Sequence, residues 1–94
     1  MSDPDRLPWD QQVVLGHWAC QAAAERWGLT YEQAKEILAA AYEYNPARVQ
    51  MLGTSMFAGV QVDGEWLFVE SRARLQQAAQ EWATLRAMER QFKE

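Results

Sequence analysis

The chain has 94 residues, 49% of them apolar and five of them Trp, and a net charge of −4 from 9 basic and 13 acidic side chains. That length suits one domain rather than two, and such a chain buries only roughly 60–65% of its unfolded surface, so this apolar content is large for its interior. The acidic balance argues against general nucleic-acid or anionic-membrane binding, which needs a positive footprint, and the single cysteine, Cys20, excludes an internal disulfide and fits a reducing compartment.

Residues 1–7, MSDPDRL, read as a flexible leader before one compact domain over 8–94. The leader lacks the basic start and apolar core of a signal peptide, and no apolar run reaches membrane length, so a cytoplasmic protein is expected. A first helix should begin near Pro8–Asp10, since Pro suits a first turn and Asp the positive helix end. It should close at Gly28, a suitable residue for a left-handed cap. Gly16, Ala19, Cys20, Ala23 and Trp27 fall on one side of this helix, and Leu15, Trp18 and Ala22 on the other. A helix apolar on two sides is buried on two sides, which predicts the central helix of the domain.

Thr30 and Gln33 form a capping box for a second helix, in which Ala34, Ile37, Leu38, Ala41 and Tyr42 recur at helical spacing. Asn45-Pro46 ends it. Asn45 then caps a short third helix, PARVQML, with Gly53 closing it. From Met56 the period changes to that of strands. MFAGVQV and EWLFV flank Asp63-Gly64, a strong hairpin signal, giving a hairpin over 56–69. An even two-residue turn pairs Val60 with Leu67 and Ala58 with Val69 on an aliphatic core face. The opposite face is then aromatic, with Phe57, Trp66 and Phe68. Ser71 caps a last helix running to about Phe92. The fold class is mainly α with one β-hairpin, in the order α-α-short α-β-β-α.

Two surfaces exceed what a monomer of this size can cover. One is the aromatic hairpin face of Phe57, Trp66 and Phe68. The other is the last helix, where Leu75, Ala78, Trp82, Leu85 and Phe92 follow heptad-like spacing. Exposed apolar patches of this kind mark interfaces, and aromatics are prominent among residues that carry binding energy. The ends of the chain also differ in charge. Residues 71–94 carry five basic side chains against three acidic ones, leaving −6 on residues 1–70. A homodimer is the expected way to cover the apolar surplus.

Chemical motifs are sparse. His17 and Cys20 share a helix face, but structural zinc sites need four ligands, and no metal or cofactor is expected. No motif frames Cys20 as a nucleophile, and no Gly-rich phosphate loop is present. Arg72 and Arg74 open the last helix, where a macrodipole prefers acidic groups; with Arg48 they form a weak candidate anion site. The element order is that of many winged-helix domains. However, the third helix offers only Arg48 and Gln50 as readers, and Asp63 and Glu65 at the hairpin tip repel phosphates. The sequence therefore predicts a non-enzymatic protein-binding module, an adaptor, inhibitor or accessory factor. The alternative is a dimeric winged-helix transcriptional regulator.

Overall fold

A computed structural model describes residues 7–92 of the chain. The order is α1 (Trp9–Trp27), α2 (Tyr31–Tyr44), a 3-10 turn (Pro46–Arg48), β1 (Val49–Gly53), β2 (Phe57–Val62), β3 (Glu65–Ser71) and α3 (Arg72–Phe92). The mostly helical class and the Asp63-Gly64 hairpin form, within a sheet of three strands. The third helix, however, is reduced to a single 3-10 turn, and the rest of that segment becomes a strand. Val49–Gly53 pairs antiparallel with Phe57–Val62, giving a three-stranded sheet in the order β1-β2-β3. Asn45 caps only the turn, accepting from the Ala47 amide at 3.1 Å. Beyond it, Val-Gln-Met-Leu places apolar residues on both sides of a pleated strand, and an adjacent strand offers a full ladder of hydrogen bonds.

The remaining caps follow local chemistry. Gly28 ends α1 in the left-handed region at φ 68. At the start of α2, the Gln33 amide donates to Thr30 Oγ1 at 3.2 Å and the Thr30 amide donates to Gln33 Oε1 at 3.0 Å. Ser71 Oγ accepts from the Arg74 amide at 3.2 Å at the head of α3. Asp63 and Gly64 both take positive φ, 52 and 84, as the tight hairpin turn requires. Between β1 and β2, Thr54 Oγ1 accepts from the Met56 and Phe57 amides and stabilises the connection.

The helices lie on one face of the sheet, with α1 central and packed on α2, α3, β2 and β3. Leu15, Leu75 and Val60 are the largest fully buried side chains, joined by Val14, Ala19, Ala58 and Ala79. A smaller cluster of Ala23, Ala34 and Leu38 joins α2 to α1. Leu7, expected in the leader, is 4% exposed and belongs to the core. Its carbonyl accepts from Gln12 Nε2 at 2.7 Å, so the ordered domain starts before α1. The rest of that leader, residues 1–6, lies outside the described residues.

The hairpin register departs from the even pairing. Val62 faces Glu65 and Gln61 faces Trp66, as the turn dictates, but Val60 faces Phe68 and Gly59 faces Val69. Leu67 is the extra residue of a β-bulge. Leu67 and Phe68 therefore both pack on the core, with the Phe68 ring 6.0 Å from that of Trp18. Val69 turns outward instead.

Candidate functional site: two uncovered apolar surfaces

The first surface is the outer face of the sheet. With period two and the bulge included, it consists of Gln50 and Leu52, then Phe57, Gly59 and Gln61, then Trp66, Val69 and Ser71. None of these side chains is charged. Leu52, Phe57, Trp66 and Val69 are all exposed, and Met56 stands beside them at the strand connection. Gly59 is buried; a Cβ there would collide with the Phe68 carbonyl oxygen of the neighbouring strand and sit 2.8 Å from Trp66 Cζ3. The Trp66 carbonyl also accepts from Arg26 Nη1 at 3.2 Å, which ties the strand to the end of α1. The edge of the ring lies against the strand at Gly59, and the residue remains 48% exposed. A one-sided antiparallel sheet normally presents polar residues to water, so an uncharged apolar outer face is the unusual feature of this fold.

The second surface is a groove of about 1040 Å³ over the inner face of β1. One stripe of α1 lines it (Trp9, Val13, Gly16), facing Ala39 and Tyr42 of α2 and Trp82 and Leu85 of α3. Met51 reaches in from β1, its Cε 3.2 Å from where a Gly16 Cβ would lie. At one end Arg86 stacks over Trp82 and Trp9, 4.8 and 5.6 Å from the ring centroids, and the two indoles lie 5.5 Å apart.

The expected interface residues divide between these surfaces and the core. Phe57 and Trp66 are together on the outer face. Phe68 is not with them, because the bulge turns it inward. Leu75 is 0% exposed and packs in the core, since the first turns of α3 lie directly on the sheet. Trp82 is half-buried in the groove wall and Leu85 is exposed there. The interface expectation for the Phe92 side chain lies outside what the structure describes. Leu52 and Met51 escaped sequence reasoning because their segment reads as a helix.

The three arginines do not converge. Arg48 makes a two-pronged ion pair with Asp63, at 2.8 and 3.0 Å, at the hairpin-tip end of the sheet. Hydrogen bonding to Arg48 holds the Asp63 carboxyl below its ordinary range. Arg72 lies at the opposite end of the sheet, five strand residues or roughly 17 Å away. It is buried, donating from Nε to Gln11 Oε1 at 2.9 Å and from Nη1 to the Thr54 carbonyl at 2.6 Å. Arg72 thereby fastens the β1–β2 connection to α1. Arg74 is exposed and faces Glu70 at 3.5 Å.

His17 Nδ1 lies 2.8 Å from the Tyr31 hydroxyl on the exposed side of α1. Burial pushes the Cys20 thiol up from its ordinary value, which keeps it protonated and weakly nucleophilic at neutral pH. Among the described residues no three of His, Cys, Asp and Glu gather as a metal cluster. Among them, too, no helix is long and apolar enough to cross a membrane. The element a winged-helix domain would lay in a major groove is one 3-10 turn here, and its Arg48 is engaged by the hairpin tip.

No protein-family model matches the chain, and no curated protein matches it in sequence. Its fold is similar to that of a solved structure, a bacterial toxin from Mycobacterium tuberculosis. The TM-score is 0.72 at 20% identity, over 79% of this chain and 97% of that one.

Proposed function

We propose that the protein is a non-enzymatic binding module whose outer sheet face docks another protein. The observation that carries this reading is the uncharged face of Leu52, Phe57, Trp66 and Val69, left open to water by a fold that places every described helix on the other side. Burial of such a face is driven by the hydrophobic effect, so binding should tolerate salt. Trp66 sits near its centre with its ring packed against Gly59, and an exposed tryptophan of this kind carries a large share of binding energy when it is covered. The test is capture of the partner by wild-type protein and by Trp66→Glu. The expected result is capture that persists through a high-salt wash and is lost in the variant. Equal capture by both proteins contradicts the reading.

The likeness in fold favours a second reading, in which the protein acts as a bacterial toxin and the sheet face is where a neutralising partner docks. At this identity the likeness carries the fold alone. Controlled expression in a bacterial host decides it: growth arrest supports the toxin reading, and unaltered growth speaks against it.

A further inference from the structure

The two edges of the sheet are finished differently. One edge is β3, and its outward backbone is largely engaged. The Trp66 carbonyl accepts from Arg26 Nη1 at 3.2 Å, and the Ser71 amide donates to Glu70 Oε1 at 2.9 Å. The strand also carries Glu65, Glu70 and the bulge at Leu67. Charges and bulges of this kind keep a sheet edge from pairing with another chain.

The other edge is β1, which has none of these devices. Val49–Gly53 reads Val-Gln-Met-Leu-Gly, with no charge and no proline, and its register against β2 runs without a shift. The ladder fixes which of its backbone groups face outward. The Asp63 amide donates to the Arg48 carbonyl at 2.8 Å, and the Thr54 amide donates to the Phe57 carbonyl at 2.7 Å. Bonding direction alternates along an antiparallel strand. Gln50 and Leu52 therefore bond to β2 as well, while Val49, Met51 and Gly53 direct their amides and carbonyls away from it. The Val49 amide is used by the preceding turn, donating to the Pro46 carbonyl. Among the described residues, no backbone group takes up the Val49 carbonyl or the amides and carbonyls of Met51 and Gly53 on that side.

This row of unpaired backbone groups selects the occupant. A helix or a small apolar molecule has no matching row of amides and carbonyls to offer; an extended peptide has one. Such a strand would lie about 4.8 Å beyond β1. Its inward side chains enter the groove beside Met51, which is 42% exposed. Its outward side chains stand next to Gln50 and Leu52, where β1 offers no charge to pair with. The segment that fits is extended, uncharged and apolar at alternate positions. A second copy of this chain fits less well, because it must offer its own β1, whose inner-face residues are Val49, Met51 and Gly53. Val49 already packs against both core clusters and Gly53 has no side chain, so Met51 alone is left to fill a groove of about 1040 Å³.

We propose that the β1 edge takes up an extended, uncharged segment of a foreign protein as a fourth strand of the sheet, at a site separate from the outer face. The added strand completes the hydrogen bonding of Met51 and Gly53, and its apolar side chains cover the groove beside Met51.

The test is selection of phage-displayed random dodecapeptides on the protein, followed by titration of the best synthetic peptide and of its singly N-methylated forms. The protein variants are Met51→Pro, Met51→Leu and Trp66→Glu, each checked for folding by circular dichroism. Proline at 51 removes an amide that faces away from β2, so it blocks the edge and spares the ladder. The expected peptides are uncharged and apolar at alternate positions. N-methylation should weaken binding about 10-fold or more at every second residue and leave the intervening positions unchanged, as loss of single hydrogen bonds requires. Met51→Pro should weaken binding by a similar factor, while Met51→Leu and Trp66→Glu bind as wild type does. Selection that enriches no peptide overturns the proposal, as does N-methylation without the alternation or binding undiminished in folded Met51→Pro. Binding lost in Trp66→Glu would move the peptide to the outer face and overturn it too. So would a wild-type dimer in light scattering that Met51→Pro abolishes, since a second copy would then hold the edge.

Discussion

Asp63 shows how one residue serves the turn and its surroundings together. Its positive φ closes the hairpin, and its carboxylate grips Arg48 from the turn before β1. Hydrogen bonding to Arg48 lowers its pKa in the folded state. The resulting stability is present at neutral pH and is lost as the pH falls through the lowered pKa. Asp63→Asn should therefore be less stable than wild type at pH 7, and the gap should close in acid. Thermal melts of both proteins between neutral and acidic pH check this. The gap should be small and should shrink with added salt, because both groups stand in water. A gap that widens in acid would contradict the assignment. Trp66 and Gly59 form the other informative pair at this scale. The missing Cβ of Gly59 makes room for the Phe68 carbonyl oxygen and for the edge of the Trp66 indole, which brings the ring close against the outer face.

Among the elements, β3 decides which aromatics face water. An even hairpin would set Phe57, Trp66 and Phe68 on one face. The bulge at Leu67 sends Phe68 to the core and Val69 outward. Phe68→Ala should therefore cost about 3 kcal/mol, the loss expected of a packed aromatic, whereas Val69→Thr should stay within about 0.5 kcal/mol. Urea unfolding of the two variants separates the registers, since an even register predicts the opposite order. Helices α1, α2 and α3 were legible in the sequence because their caps are local: Gly28, the Thr30–Gln33 pair and Ser71 act within a few residues of themselves. The Asp63-Gly64 turn was legible for the same reason. The bulge was not, because nothing in EWLFVES marks it. It arises from two successive apolar residues, Leu67 and Phe68, both finding room beneath α1. Strand β1 was hidden likewise, since Val49–Gly53 pairs with residues five to thirteen positions away only once β2 exists. The Asn45 cap signal was real, but it stops after one turn.

At the scale of the whole molecule, the apolar surplus visible in the composition separates into two surfaces on opposite sides of the sheet. The exposed aromatics Phe57 and Trp66 were legible as one group. The groove was not, because it is built from three helices and a strand whose mutual placement no local pattern encodes. The likeness in fold to a bacterial toxin covers nearly all of that protein. It covers 79% of this chain and leaves the use of each surface to be measured. The proposed role of the sheet face is to receive a foreign partner.

The most direct test is hydroxyl-radical footprinting of the partner complex against the free protein, read residue by residue by mass spectrometry. The account predicts that Met56, Phe57 and Trp66 become protected when the partner binds, while Trp9, Tyr42 and Met88 keep the reactivity they have in the free protein. Protection confined to Trp9, Tyr42 and Met88, with Phe57 and Trp66 still fully reactive, would contradict it and place the partner in the groove.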